Sequence, residues 1–134
     1  MDSLSPEERS ERMSRVRSKN SKAELLVRRI THGMGYRYRL HARDLPGTPD
    51  MVFRSRRKAI FVHGCFWHGH RCKLGRMPKS RIEFWGAKIR SNQERDSRVL
   101  EQLEAMGWKA LVIWECQLGD RERIAETIKE FLDA

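Results

Sequence analysis

Leu45-Pro46-Gly47-Thr48-Pro49-Asp50-Met51-Val52-Phe53-Arg54-Ser55-Arg56-Arg57-Lys58-Ala59-Ile60-Phe61-Val62 is the stretch whose reading decides the fold. Two prolines and a glycine make its first six residues a turn. Two short apolar runs follow, Met51-Val52-Phe53 and Ala59-Ile60-Phe61-Val62, parted by the basic turn from Arg54 to Lys58. Their length and their β-branched and aromatic content predict a β-hairpin. Asp50 opens the first strand, which places a carboxylate at one end of a sheet.

Upstream, residues 21–35 read as a helix: Ala23, Leu26, Val27, Ile30 and Met34 share a face, Ser21 can cap the start and Gly35 can stop it. Residues 36–40 read as a short strand. Downstream, residues 63–80 are irregular. A long helix over about residues 80–106 carries the stripe Ile82, Trp85, Ile89, Asn92, Asp96, Val99, Leu103, Met106, and Gly107 ends it. Residues 109–115 form a buried strand, and residues 121–132 an amphipathic helix with Ile124, Ile128, Phe131 and Leu132 inward. The order helix, strand, hairpin, long helix, strand, helix predicts an α/β (or α+β) domain, with a mixed central β-sheet flanked by helices.

The chain has 134 residues, 39% of them apolar, which suits one compact domain with a real core. No repeat or Gly/Ser linker divides it, so residues 21–134 are expected to be a single domain behind an arm of residues 1–20. That arm carries Arg9, Arg12, Arg15, Arg17 and Lys19. It is either a solvated, frayed end or a clamp for phosphates. A net charge of +10 and a pI of about 10.2 call for a polyanionic partner, nucleic acid first and an anionic membrane surface second. No apolar run approaches the roughly 20 residues of a bilayer span, and the N-terminus lacks the apolar core of a signal peptide. A cytosolic protein is expected, where three cysteines point to a metal site or buried thiols rather than disulfides.

Cys65, His68, His70 and Cys72 lie within eight residues, and Cys116 stands far downstream at the end of a predicted strand. Cys65, His70, Cys72 and Cys116 would make a Cys₃His set for tetrahedral zinc, stapling the irregular loop to the sheet. Three buried thiols beside solvent histidines is the plainer alternative. Asp50, at the strand start, can hold Mg²⁺ through oxygen, and Glu24 on the first helix can reach the same place. His63 and His68 can move protons near neutral pH. Taken singly, each is also an ordinary turn aspartate, solvated helix carboxylate or loop histidine. Asn92 and Asp96 interrupt the apolar stripe of the long helix one turn apart, so they need polar partners. They either orient a histidine or form a structural hydrogen-bond network. Phe66 and Trp67 in the cysteine-bounded loop, with Trp85 and Phe84 among Arg71, Lys73, Arg76, Lys79, Arg81, Lys88 and Arg90, suit a surface that wedges between bases and grips phosphates, with an ordinary core cluster as the plainer alternative. Trp108 and Trp114 read as core.

Phe61-Val62-His63-Gly64-Cys65-Phe66-Trp67-His68-Gly69-His70-Arg71-Cys72 resembles the central motif of the very short patch repair endonucleases. Arg17-Ser18-Lys19-Asn20 with Glu24, Leu45 through Asp50, Glu83-Phe84-Trp85 through Glu94-Arg95-Asp96, and Val112-Ile113-Trp114-Glu115-Cys116 fit in order, so the similarity runs over about residues 9–132. It implies a restriction-endonuclease-like fold. It implies a magnesium-dependent nick on the 5′ side of the thymine in T:G mismatches left by deaminated 5-methylcytosine. It further implies Mg²⁺ on Asp50 and the Val62 backbone carbonyl, Glu24 and His63 acting through water held by the metal, and His68 as acid–base residue oriented by Asp96. The implied structural Zn²⁺ sits on Cys65, His70, Cys72 and Cys116. The implied DNA contacts are the wedge Phe66, Trp67 and Trp85, with Met13 touching the other groove. Arg15, Lys19 and Asn92 join the expected DNA-binding set. The expected partners are double-stranded DNA with a T:G mismatch and, downstream, mismatch-repair proteins and a DNA polymerase. A cytoplasmic bacterial monomer without membrane contact is expected.

Position 62 is Val where the best-known members carry Thr, and Gly69 and Arg71 stand where histidines are often seen. The first change touches a main-chain role, and the others touch no expected ligand. The chain also ends straight after the last helix, without the extended tail of some members. Two rivals stand beside this reading: a nicking enzyme for other mismatches or modified bases, and a zinc-stapled DNA-binding module that does not cut. A membrane-surface protein would gather its basic residues on one amphipathic helix. Here they are spread over loops and several elements.

Overall fold

The computed structural model describes residues 21–65, 68, 70, 72 and 81–134. The arm with Met13, Arg15 and Lys19, and the loop residues Phe66 and Trp67, lie outside the described residues, as does the side chain of Ile82.

Helix α1 spans Lys22–Gly33. Ser21 caps it, its hydroxyl accepting from the Glu24 N–H at 3.1 Å. The helix closes over Gly35, whose φ of +94° suits a residue without Cβ. Its N–H donates to His32, and the N–H of Tyr36 donates to Thr31, the reverse bonds that terminate a helix. Strand β1 (Arg39–Leu40) is shorter than the run of residues 36–40 expected, because its neighbour β2 (Met51–Phe53) pairs with it only through Val52 and Met51, opposite Arg39 and Leu40. β2 turns through Arg54–Arg56 into β3 (Lys58–His63), antiparallel, with Met51 opposite Ile60. Helix α2 (Ile82–Ala105) then carries the chain to β4 (Lys109–Trp114), which runs parallel to β3 from Lys58↔Lys109 to His63↔Trp114. Helix α3 (Arg121–Asp133) closes the order. The sheet reads β1-β2-β3-β4, mixed, as the order of elements predicts.

Side chains alternate across a strand, and here both faces are apolar. Met51, Phe53, Ile60 and Ile113 face Val27 of α1 and Ile124, Ile128 and Leu132 of α3. Val52 and Phe61 face Leu103 of α2, with Ala42 and Leu45 beside them and Val99, Ala110 and Val112 packed against the group. The sheet is therefore sandwiched between helices, and burying a side chain such as Ile128 or Leu132 contributes about 2 kcal/mol. Met106, expected on the inner stripe, is 48% exposed because the helix has already ended there.

Lys58 belongs to β3 rather than to the basic turn, and it is buried. Its Nζ donates to the carbonyls of Phe131 (2.6 Å), Leu132 (3.2 Å) and Ala134 (2.8 Å). The last carbonyls of a helix form its negative end, so the buried cation ties α3 to the sheet.

The turn before Asp50 is pressed against α2. Gly47 has φ +74°, and a Cβ there would lie 2.5 Å from Val99 Cγ1 and 3.2 Å from Phe61. Gly47→Ala is therefore expected to lower stability by about 1–3 kcal/mol. Denaturant unfolding checks this: the midpoint should fall with its slope unchanged, and an unmoved midpoint would mean that the turn and α2 can part freely.

Candidate active site

The sheet ends, the Pro-Gly turn and α2 enclose a cavity of about 220 Å³, lined among others by His41, Asp50, His63, His68, Asn92 and Asp96. Asp50 sits one residue ahead of β2, and its Oδ2 accepts from the Val62 N–H at 2.7 Å. Burial pushes its carboxyl from 3.8 up to about 7; the Val62 N–H pulls the other way, and the nearby Glu24 adds to the rise.

Glu24 comes from α1, where the buried positions are Glu24, Val27 and Thr31. It therefore stands on the inner stripe of the helix rather than beside it. Its Oε2 accepts from Arg28 at 3.0 Å and from His41 Nε2 at 2.9 Å. Candidate ligand atoms of Glu24, His41 and Asp50 all lie within 4.8 Å of one another.

A second group forms across the cavity. His68 Nδ1 bonds Asp96 Oδ2. The His68 ring lies flat on His63, with centroids 3.8 Å apart and planes within 4°. The two polar residues that interrupt the apolar stripe of α2 have different partners: Asp96 meets the histidine, while Asn92, buried, accepts from Arg95 at 2.7 Å.

Cys65, His70, Cys72 and Cys116 form the third group, with candidate ligand atoms within 4.8 Å of one another. Cys116 Sγ lies 3.4 Å from His70 Nδ1, and the Cys116 N–H donates to Cys65 Sγ at 3.3 Å. Burial, the largest cause, pushes the Cys65 thiol up to about 12, so a thiolate there needs a cation beside it. Three sulfurs and one imidazole at this spacing fit a soft, tetrahedral ion.

Trp114, read from sequence as core, instead joins two of these groups. It stacks on His70 (4.1 Å, 15°) and turns its edge to His63 at 5.3 Å. His41 was not singled out by any pattern in the sequence. It is one loop histidine between Leu40 and Ala42, and only its place in the cavity marks it. At the start of α2, Trp85 is 9% exposed, while its neighbour Phe84 is 37% exposed beneath the Arg81 guanidinium at 4.5 Å.

Fold and site define an α/β protein whose cleft joins buried carboxylates to a histidine–aspartate pair, the equipment of a hydrolytic centre. The family of the DNA mismatch endonuclease Vsr matches residues 1–74, and the chain belongs to that family. It is 52% identical over 132 residues to the type II nicking enzyme V.XorIIP of Xanthomonas oryzae pv. oryzae, covering 98% of this chain and 97% of that protein. It is 40% identical over 137 residues to the type II nicking enzyme V.NmeAIP of Neisseria meningitidis, covering 99% and 98%. Against the DNA mismatch endonuclease Vsr of Escherichia coli it is 40% identical over 118 residues, covering 88% and 76%.

A carboxyl raised by burial favours the folded chain when it is protonated. Its contribution is full below about 3.8 and is lost as pH rises through about 7. Asp50→Asn cannot ionise. In magnesium-free buffer it should melt a few degrees above the parent near pH 8, with the gap closing toward pH 4. A pH-independent gap would remove burial as the cause.

Proposed function

We propose that the chain is a strand-specific DNA nicking endonuclease that cuts on the 5′ side of the thymine in T:G mismatches arising from deaminated 5-methylcytosine. The observation that carries the reading is the meeting of Asp50, His63 and His68 around one cavity, with Glu24 within 4.8 Å of Asp50 through their candidate ligand atoms; binding alone needs none of them together. Membership of the Vsr family supports the target, and the mixed sheet with carboxylates at one end supports a restriction-endonuclease-like fold. Residues 21–134 are read as the single nuclease domain, and residues 1–20 as its basic arm.

Asp50 and the Val62 carbonyl would hold Mg²⁺. The N–H and C=O of a strand residue point to the same side, so the Val62 carbonyl is on the side from which its N–H reaches Asp50. When bound, the ion polarises the phosphodiester and makes water a better nucleophile. Glu24 and His63 orient that water. The water oxygen attacks phosphorus while its proton passes to the His63 imidazole, the bond to the departing sugar oxygen breaks, and His68, held by Asp96, supplies that oxygen with a proton. Cys65, His70, Cys72 and Cys116 would hold a structural Zn²⁺. Phosphates meet the excess of Lys and Arg (28 against 18 acidic residues), including Arg15 and Lys19. Phe66, Trp67 and Trp85 supply the wedge, Met13 the other groove and Asn92 a polar contact. Trp85 reaches bases only by leaving its buried position. The working form is a cytoplasmic monomer, followed by mismatch-repair proteins and a polymerase. Among the described residues no helix is long and apolar enough to cross a membrane.

A broader target is the second reading, favoured by relatives whose names say nicking enzyme without a mismatch. A strand-resolved assay on T:G, C:G and other mismatched duplexes separates the two. A magnesium-dependent nick beside the mismatched T alone is expected. Cutting elsewhere would transfer the enzyme to the broader class, and tight binding without any cut would leave a binding module. Asp50→Ala should abolish the nick and leave mismatch binding largely intact. Cys116→Ala should lose bound zinc and unfold at lower temperature; a normally stable, zinc-free variant would refute the staple.

A further inference from the structure

We infer that His41 is a positioning residue for the carboxylate pair, holding Glu24 against Asp50 so that the two act on one divalent cation; this rests on the reading of that site as a magnesium centre. His41 touches both carboxylate residues. Its main-chain N–H donates to the Asp50 carbonyl at 3.2 Å, and its ring Nε2 lies 2.9 Å from Glu24 Oε2. That oxygen also accepts from Arg28 at 3.0 Å. An oxygen engaged by a guanidinium still has a lone pair for one further donor, so the ring presents its proton there. Glu24 is thus gripped from α1 by Arg28 and from the end of β1 by His41.

The backbone supports a specific role. His41 has φ +46°, a left-handed conformation that a residue with Cβ adopts at a cost. The strain aims the side chain inward, leaving it 16% exposed against a Glu24 side chain only 4% exposed. Imidazole also suits the position chemically. It donates one N–H without a fixed charge, whereas a lysine or second arginine would set a permanent cation beside the place where Mg²⁺ must bind.

The test uses the full-length chain as purified, with Mg²⁺ binding followed by the rise in unfolding temperature with MgCl₂ and by the magnesium dependence of nicking. His41→Asn keeps a residue that tolerates left-handed backbone but is too short to reach Glu24. It should raise the magnesium needed for half-maximal effect about tenfold in both readouts, with little change in the magnesium-free unfolding temperature. His41→Gln, whose amide nitrogen mimics Nε2, should restore most of that loss. If His41→Asn folds poorly, His41→Gly takes the same backbone with no side chain and serves in its place. Parental magnesium affinity in the folded variant, or equal impairment in the Asn and Gln variants, would overturn the inference. Asp50→Asn separates the two levels: if it binds Mg²⁺ as the parent does, the magnesium centre itself is wrong. If it loses Mg²⁺ while His41→Asn keeps it, only the role of His41 falls.

Discussion

The six paired positions between β3 and β4 hold the molecule together and also build its site. Lys58↔Lys109 through His63↔Trp114 run in one direction, so both strands finish at the same edge of the sheet. Several of the candidate site residues hang from that end. Asp50 is bonded to the N–H of Val62, His63 is the last residue of β3, and Cys65 follows two residues later. From β4 come Trp114 and, two residues beyond, Cys116. A slip of one residue would exchange the faces on which Ile60 and Phe61 pack. It would also separate Cys65 from Cys116, whose N–H and Sγ now meet at 3.3 Å. The register that buries the core is the register that assembles the cysteines.

The site is expensive to the fold. Glu24 occupies a core-facing helical position, and burial lifts Asp50 to about 7 because Glu24 and the apolar surroundings both resist a second negative charge. Arg28 and His41 offset part of this on the Glu24 side, and the Val62 N–H does so on the Asp50 side. The strained backbone at His41 and Thr48, both with φ +46°, flanks the same turn. Opposite these carboxylates, α2 supplies Asp96 to His68 while its next turns bury Val99 and Leu103 against the sheet. One helix therefore serves as both core and wall of the cavity.

Much of the architecture is legible in the pattern of residues. β2 and β3 announce themselves because strands covered on both faces become short, unbroken apolar runs; β4 has the same look, although as an edge strand it buries only Ile113 fully. The three helices follow from the 3.6-residue spacing, and the clustered cysteines, candidates for a metal, from their sheer scarcity. β1 is overestimated because its length depends on its partner β2 rather than on its own residues. Lys58 looks like part of a basic turn, since nothing local tells of the three carbonyls waiting at the end of α3. Taken alone, Glu24 could be a solvated helix carboxylate, and only its burial beside Asp50 decides otherwise.

The residues themselves determine which segments become strand or helix, which side chains can bind metal or carry protons, and that the partner is anionic. These properties are local or additive, so they survive without knowledge of neighbours. Only the tertiary structure decides that His41 joins Glu24, that Trp114 stacks on His70 of the cysteine group and meets His63, and that Trp85 turns inward while Phe84 faces out. Each of those depends on packing between segments far apart in the chain, where a single side chain carries no periodic signal and gains its role from what the fold places beside it.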